Sequence, residues 1–251
     1  MKVIIAVLAA VLICVAAVFW VTMPTAEKHT AVQKPKEFVL AAATEVAGAE
    51  CKVSMSIEEG MRILTSNGVP RHKIGVFPNA DNPHALAEQS HVVNLPTAPK
   101  KAEFPTHVTV VGYTVEGVPF KPAADEYFMG NRTSGWRYEV LSGAVALGVD
   151  LNHAHVQEDG AYHYHGPPTL LMKEMGITPE KHSPQIGWAA DGFPIFVSKG
   201  DRFTSSYRLK EGRRASGDAG PGGIYDGTYI ADYRYIPKSG ILDRCNGIKV
   251  K

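Results

Sequence analysis

The stretch Asp150-Leu-Asn-His-Ala-His-Val-Gln-Glu-Asp-Gly-Ala-Tyr-His-Tyr-His165 holds four of the chain's ten histidines, as two His-x-His pairs, His153/His155 and His163/His165. A neutral imidazole offers a lone pair to zinc, copper, nickel or iron. A structural zinc site closes four such ligands around the ion, whereas a catalytic one keeps three and a water. Four histidines on one surface would suit either, with copper or zinc the expected metal. No cysteine lies close in sequence, so a thiolate site is not expected. Asp150, His182 and Asp191 are candidates for an additional ligand, or for a group that holds a ligating imidazole from behind. The competing reading is a ladder of half-buried Tyr and His side chains bonded to the backbone. Serine-nucleophile chemistry has no support, because there is no Gly-x-Ser-x-Gly.

For the two pairs to meet, the chain must reverse between them. Residues i and i+2 of a strand share a face, so each pair aims both imidazoles the same way. If Glu158-Asp159-Gly160 forms a three-residue loop with Gly160 left-handed, Gln157 pairs with Ala161. His155 then opposes His163 and His153 opposes His165, with Cβ atoms ~4.5–5.5 Å apart. A two-residue Asp-Gly loop would instead put the pairs on opposite faces. The three-residue register sends Tyr162 and Tyr164 to the other face, into the core.

The rest of the chain reads as mainly β, one antiparallel sandwich-like domain with a short helix. Val53, Met55 and Ile57 alternate with polar residues, and Met61–Thr65 stops at Asn67-Gly68. Thr106–Tyr113 and Val115–Phe120 form a hairpin around Glu116-Gly117, and Ile186–Ala190 and Phe193–Val197 another around Asp191-Gly192. Pro167-Pro168 opens a helix that Gly176 ends. Thr228–Ile236 alternates as a strand, and Gly220-Pro-Gly-Gly223 reads as a surface loop. His72 and His84, in proline-bearing loops, read as surface histidines. The 24 glycines and 17 prolines fit many turns, and 45% hydrophobic residues suffice for a core. A net charge of +1 gives no electrostatic case for nucleic acid.

Val3 to Met23 contains no charge and follows a single lysine. Residues 1–23 therefore read as a signal peptide or an uncleaved signal anchor, and 24–50, rich in Ala, Lys, Glu and Thr, as a flexible linker. This implies export to the periplasm or the extracellular space, with the membrane as partner if residues 3–23 are retained. Residues 51–251 form the folded body. Of the three cysteines, Cys14 sits in the apolar run. Cys51 and Cys245 remain as either one disulfide or two free thiols.

The blocks His153-Ala-His-Val-Gln and Ala161-Tyr-His-Tyr-His-Gly166 resemble the YHYH-domain family of exported proteins. So do Ser66-Asn-Gly-Val-Pro-Arg-His72, His182-Ser-Pro-Gln-Ile-Gly-Trp-Ala-Ala-Asp-Gly-Phe-Pro-Ile195, Ser206-Tyr-Arg-Leu-Lys210, Gly220-Pro-Gly-Gly-Ile-Tyr-Asp-Gly-Thr228 and Leu242-Asp-Arg-Cys-Asn-Gly247, in that order. The resemblance implies an exported domain from about Cys51 onward and no particular reaction. Members usually continue past the Cys-Asn-Gly block to a further cysteine, so a C-terminal truncation at Lys251, with loss of a partner for Cys245, is part of the expectation. Three functions stay open: a histidine cluster binding a divalent metal, a metal-dependent hydrolase-like enzyme with Asp191 or His182 as proton carrier, and an extracellular glycan- or protein-binding β domain without metal. The second needs a concave cleft beside the histidine hairpin.

Overall fold

The computed structural model describes residues 39–104, 106–178, 183–197, 203–242 and 244. In chain order its strands are β1 (Leu40–Ala41), β2 (Val53–Glu58), β3 (Met61–Ser66), β4 (Ile74–Gly75), β5 (His91–Pro96), β6 (Gly112–Thr114), β7 (Pro119–Phe120), β8 (Ala123–Tyr127), β9 (Arg137–Glu139), β10 (Ala154–Val156), β11 (Tyr162–Tyr164), β12 (Gln185–Ala189), β13 (Pro194–Phe196), β14 (Tyr207–Leu209) and β15 (Tyr233–Tyr235). Two short helices, α1 (Ala43–Ala47) and α2 (Thr169–Glu174), accompany them. The mainly β, largely antiparallel architecture is as expected. None of the described helices is long and apolar enough to cross a membrane.

The sheet that positions the histidines runs in the order β10-β11-β7-β6-β12-β13. Its neighbours are antiparallel except β11 and β7, which lie parallel. Strands β2-β3-β5 make a second sheet, and β1-β4, β8-β9 and β14-β15 pair off alone. One face of β10-β11 closes the main core: Tyr162 and Tyr164 are fully buried among Val69, Ile74, Phe77, Val118, Ala154 and Val156. Phe120 of β7 packs on Tyr164, with ring centroids 5.4 Å apart.

Both buried tyrosine hydroxyls are spoken for. Tyr162 donates to Asp150 Oδ2 (2.7 Å), and Asp150 also takes the Gly75 amide (2.8 Å) and the Asn152 amide (2.7 Å). Tyr164 meets His72 Nε2 at 2.5 Å, while His72 Nδ1 donates to the Lys73 carbonyl (2.8 Å). That carbonyl can only accept, so His72 carries its proton on Nδ1 and accepts the Tyr164 hydroxyl. Such pairing is what allows polar groups so deep in an apolar core. His72 is therefore a buried structural residue, not the surface histidine expected from its loop.

Three other expectations need correction. The folded part starts before Cys51, inside the stretch read as a linker: β1 pairs with β4, and Ala43 of α1 is buried in the main core. In the first expected hairpin only Gly112 and Tyr113 of Thr106–Tyr113 are in a strand, which runs on to Thr114. Thr228–Ile236 is not continuous, because Ile230–Asp232 forms a 3-10 turn before β15. The cause is Asp232, which is fully buried and needs donors. Its Oδ2 takes the amides of Gly227 (3.0 Å) and Tyr229 (3.2 Å). Arg214 completes its partners through Nε to Oδ1 (2.8 Å). Alternation signalled a strand, but a buried carboxylate outweighed it.

Candidate metal centre

The reversal between β10 and β11 takes the three-residue form. Gln157 and Ala161 are paired, the Gln157 amide donating to the Ala161 carbonyl (3.0 Å), and Gly160 has φ +81°. A side chain there would be strained by that φ, and its Cβ would lie 2.6 Å from the Ala87 Cβ. The ladder then follows as expected, with His155 opposite His163 and Tyr162 and Tyr164 on the core side.

Three imidazoles, not four, come together. The ring centroids of His155, His163 and His165 form a nearly equilateral triangle, with separations of 4.7, 4.7 and 4.6 Å. Each offers a nitrogen, and these atoms all lie within 4.8 Å of one another. His153 holds its expected ladder position, since its carbonyl accepts the His165 amide (2.7 Å). Its ring nevertheless leaves the cluster. Asp150–His153 is a tight turn in which the His153 amide donates to the Asp150 carbonyl (3.1 Å), and His153 ends it with φ +56°. Left-handed backbone redirects the side chain away from the strand's alternation. The ring is tied down instead by Nδ1 donating to the Pro167 carbonyl (2.9 Å).

The remaining expected partners also lie elsewhere. Asp150 bonds the tyrosine side of the sheet and no imidazole, though its charge slightly favours the protonated form of His155. Asp191 sits in the β12–β13 turn at the far edge of the sheet, where Oδ1 accepts the Phe193 amide at 3.4 Å, and it does not line the cleft described below. The turn-forming habit of Asp-Gly accounts for it. His182 and Cys245 lie outside the described residues, as do residues 1–38. Cys51 is half-buried and, among the described residues, a free thiol whose pKa burial pushes up. The Cys51–Cys245 pairing therefore also falls outside what is described.

The triad is arranged to present lone pairs. His155 Nδ1 donates to the Leu147 carbonyl (2.8 Å), and His163 Nδ1 to the Ala161 carbonyl (3.2 Å). Because a carbonyl only accepts, both rings are held as the Nδ1–H tautomer with Nε2 bare. His165 is 5% exposed, and neither of its ring nitrogens makes a hydrogen bond of good geometry. The Pro122 carbonyl lies close enough only to favour its charged form a little. A buried polar atom without a partner costs about 1–3 kcal/mol, so it calls for an explanation.

Burial also keeps the triad unprotonated. It holds the His155 pKa below the usual imidazole value, the Leu147 bond opposing it. His163 is pushed down to about 3, first by burial and then by the adjoining His155. His165 lies well below the normal range for the same reason, with His163 and His155 adding to it. At neutral pH no proton competes for these lone pairs.

The cluster forms one wall of a cleft of about 620 Å³. His84, Lys121, Glu126, Gln157 and Arg137 line it with the three histidines. Glu126 and His84 are near enough to His155 for their charges to act on it, in opposite directions. His84, Lys121 and Glu126 carry no local motif. Lys121 alone leaves a signal in the sequence, as the residue after a core-facing Phe120.

The family model described as "YHYH protein" matches residues 92–251, which takes in the histidine hairpin and most of the described body. The Ser66–His72 block precedes the matched region. No curated protein and no solved structure matches the chain.

Proposed function

The chain belongs to the YHYH family, whose name-giving residues stand here as Tyr162-His163-Tyr164-His165, and from the geometry of its histidines we propose that it binds one divalent transition-metal ion, copper or zinc, through His155, His163 and His165. The observation that carries this reading is the triad itself, with His163 and His165 buried and His155 half-buried: neutral imidazoles, two with their tautomer fixed and Nε2 bare, and one with no well-formed bond. Tetrahedral zinc sets its nitrogens ~2.0–2.1 Å from the ion, so the rings need only close inward. The motif's alternation divides two tasks. Its tyrosines anchor the strand in the core, and its histidines face the cleft. Export through the apolar run of residues 3–23 belongs to the same proposal.

The cleft favours a second reading, a metal-dependent hydrolase-like site, since three ligands leave a coordination position open toward a substrate. In that case Glu126 or His84, not Asp191, would carry the proton. The test of metal binding is thermal unfolding of tag-free protein. Copper or zinc should raise the transition, chelator should reverse the rise, and His163→Ala should abolish it. Melting that no divalent ion changes would remove both readings. Ester hydrolysis by the metal-loaded protein would separate the second from the first.

A further inference from the structure

We propose that the open side of this site takes a small oxyanion, of carboxylate or phosphate type, held between the bound metal and the ammonium of Lys121. The inference rests on the metal reading above and adds the ligand class. The argument begins with strand register. β7 lies parallel to β11 with Phe120 beside Tyr164, and the Lys121 amide donates to the Tyr164 carbonyl (2.9 Å). Phe120 packs on the Tyr164 ring in the core, so by alternation the next side chain points to the imidazole face. Lys121 does line the histidine cleft, and its Nζ donates to Gln157 Oε1. Gln157 stands two residues beyond His155, on the same face of that strand.

This bond uses one of three ammonium hydrogens and fixes where the charge sits. The Lys121 charge reaches His163 and His165, whereas that of Glu126 reaches His155. Three neutral imidazoles bring no charge to balance a divalent ion. A pure metal trap would not place a cation beside two of its ligands, because the two positive charges oppose one another in a half-desolvated site. An anion bridging ion and ammonium removes that conflict and fills the open position. Of the cleft's carboxylates, Asp81, Asp125, Glu126 and Glu158, Asp125 is paired with Arg137 at 3.3 Å, and Glu126 acts on His155 but not on His163 or His165, the two rings that Lys121 faces.

The experiment uses the cobalt(II)-loaded chain, whose visible spectrum reports its coordination, titrated separately with acetate and inorganic phosphate. Wild type should give a saturable spectral change with one of them, and the arm that responds identifies the class. Lys121→Met should weaken that anion about ten- to hundred-fold, the loss of one charge-assisted hydrogen bond, with cobalt affinity undiminished. Lys121→Arg should restore most of it, which a fold defect would not allow. Cobalt binding with no anion response, or with the same titration curve in Lys121→Met, overturns the oxyanion site and leaves the metal site standing. Failure of wild type to bind cobalt, copper or zinc overturns both.

Discussion

Acid should unfold the metal-free protein through the imidazole triad, and the size of the effect follows from the burial of His163. Unfolded, its imidazole takes up a proton near pH 6.5. Folded, it does so only at about 3, because protonation would place a charge among buried rings. A pKa lower in the folded than in the unfolded state means that acid favours unfolding. Its stabilising share is complete above 6.5 and is lost as pH falls toward 3. Between those limits the cost approaches about 1.4 kcal/mol per pH unit for each such group, so by pH 4.5 His163 alone has lost about 2.7 kcal/mol relative to pH well above 6.5. His165, also held low by burial, adds in the same direction. Glu139 acts oppositely, because burial raises its pKa to about 7 and its share of stability is lost as pH rises from its unfolded value toward 7. A single pH profile therefore mixes the three, and the clean quantity is a difference between variants. Urea unfolding with chelator at pH 6.5, 5.5 and 4.5 should show His163→Asn losing about 1.4 kcal/mol per pH unit less than wild type. Equal slopes for the two proteins would refute the buried, neutral triad.

Two further outcomes concern the supports of the site. Tyr162→Phe deletes a hydroxyl that gives Asp150 one of its buried donors, and should cost about 1.5–3 kcal/mol in chemical denaturation without altering metal binding. Arg214→Met leaves the fully buried Asp232 without its guanidinium and should cost about 3–5 kcal/mol. Adding Asp232→Asn to it should recover part of that loss, which a purely steric role for Arg214 would not give.

The histidine hairpin was legible because a turn of known type ties loop length to register, and register decides which side chains share a face. Glu158-Asp159-Gly160 supplied the length, and the His–Tyr alternation the two faces. His153 defeated this logic through the turn before the strand. Asp150 Oδ1 takes the Asn152 amide, an Asx-turn, and the chain leaves it left-handed at His153. Asp-Leu-Asn was a readable sign of that turn. The buried role of His72 and the positions of His84 and Glu126 depend on packing between distant segments, for which no local pattern exists. Thr228–Ile236 misled for a related reason: its alternation was real, but Asp232 had to find donors for a buried charge, and bending the chain supplied them.

The most direct measurement is the metal content of tag-free protein after equilibrium dialysis against zinc or copper, for wild type and for variants of each histidine in the hairpin. The account predicts a single tightly held ion per chain, lost in His155→Ala, His163→Ala and His165→Ala and retained in His153→Asn, whose left-handed backbone asparagine tolerates. Loss of the ion in His153→Asn, or its retention in all of the other three, would contradict it.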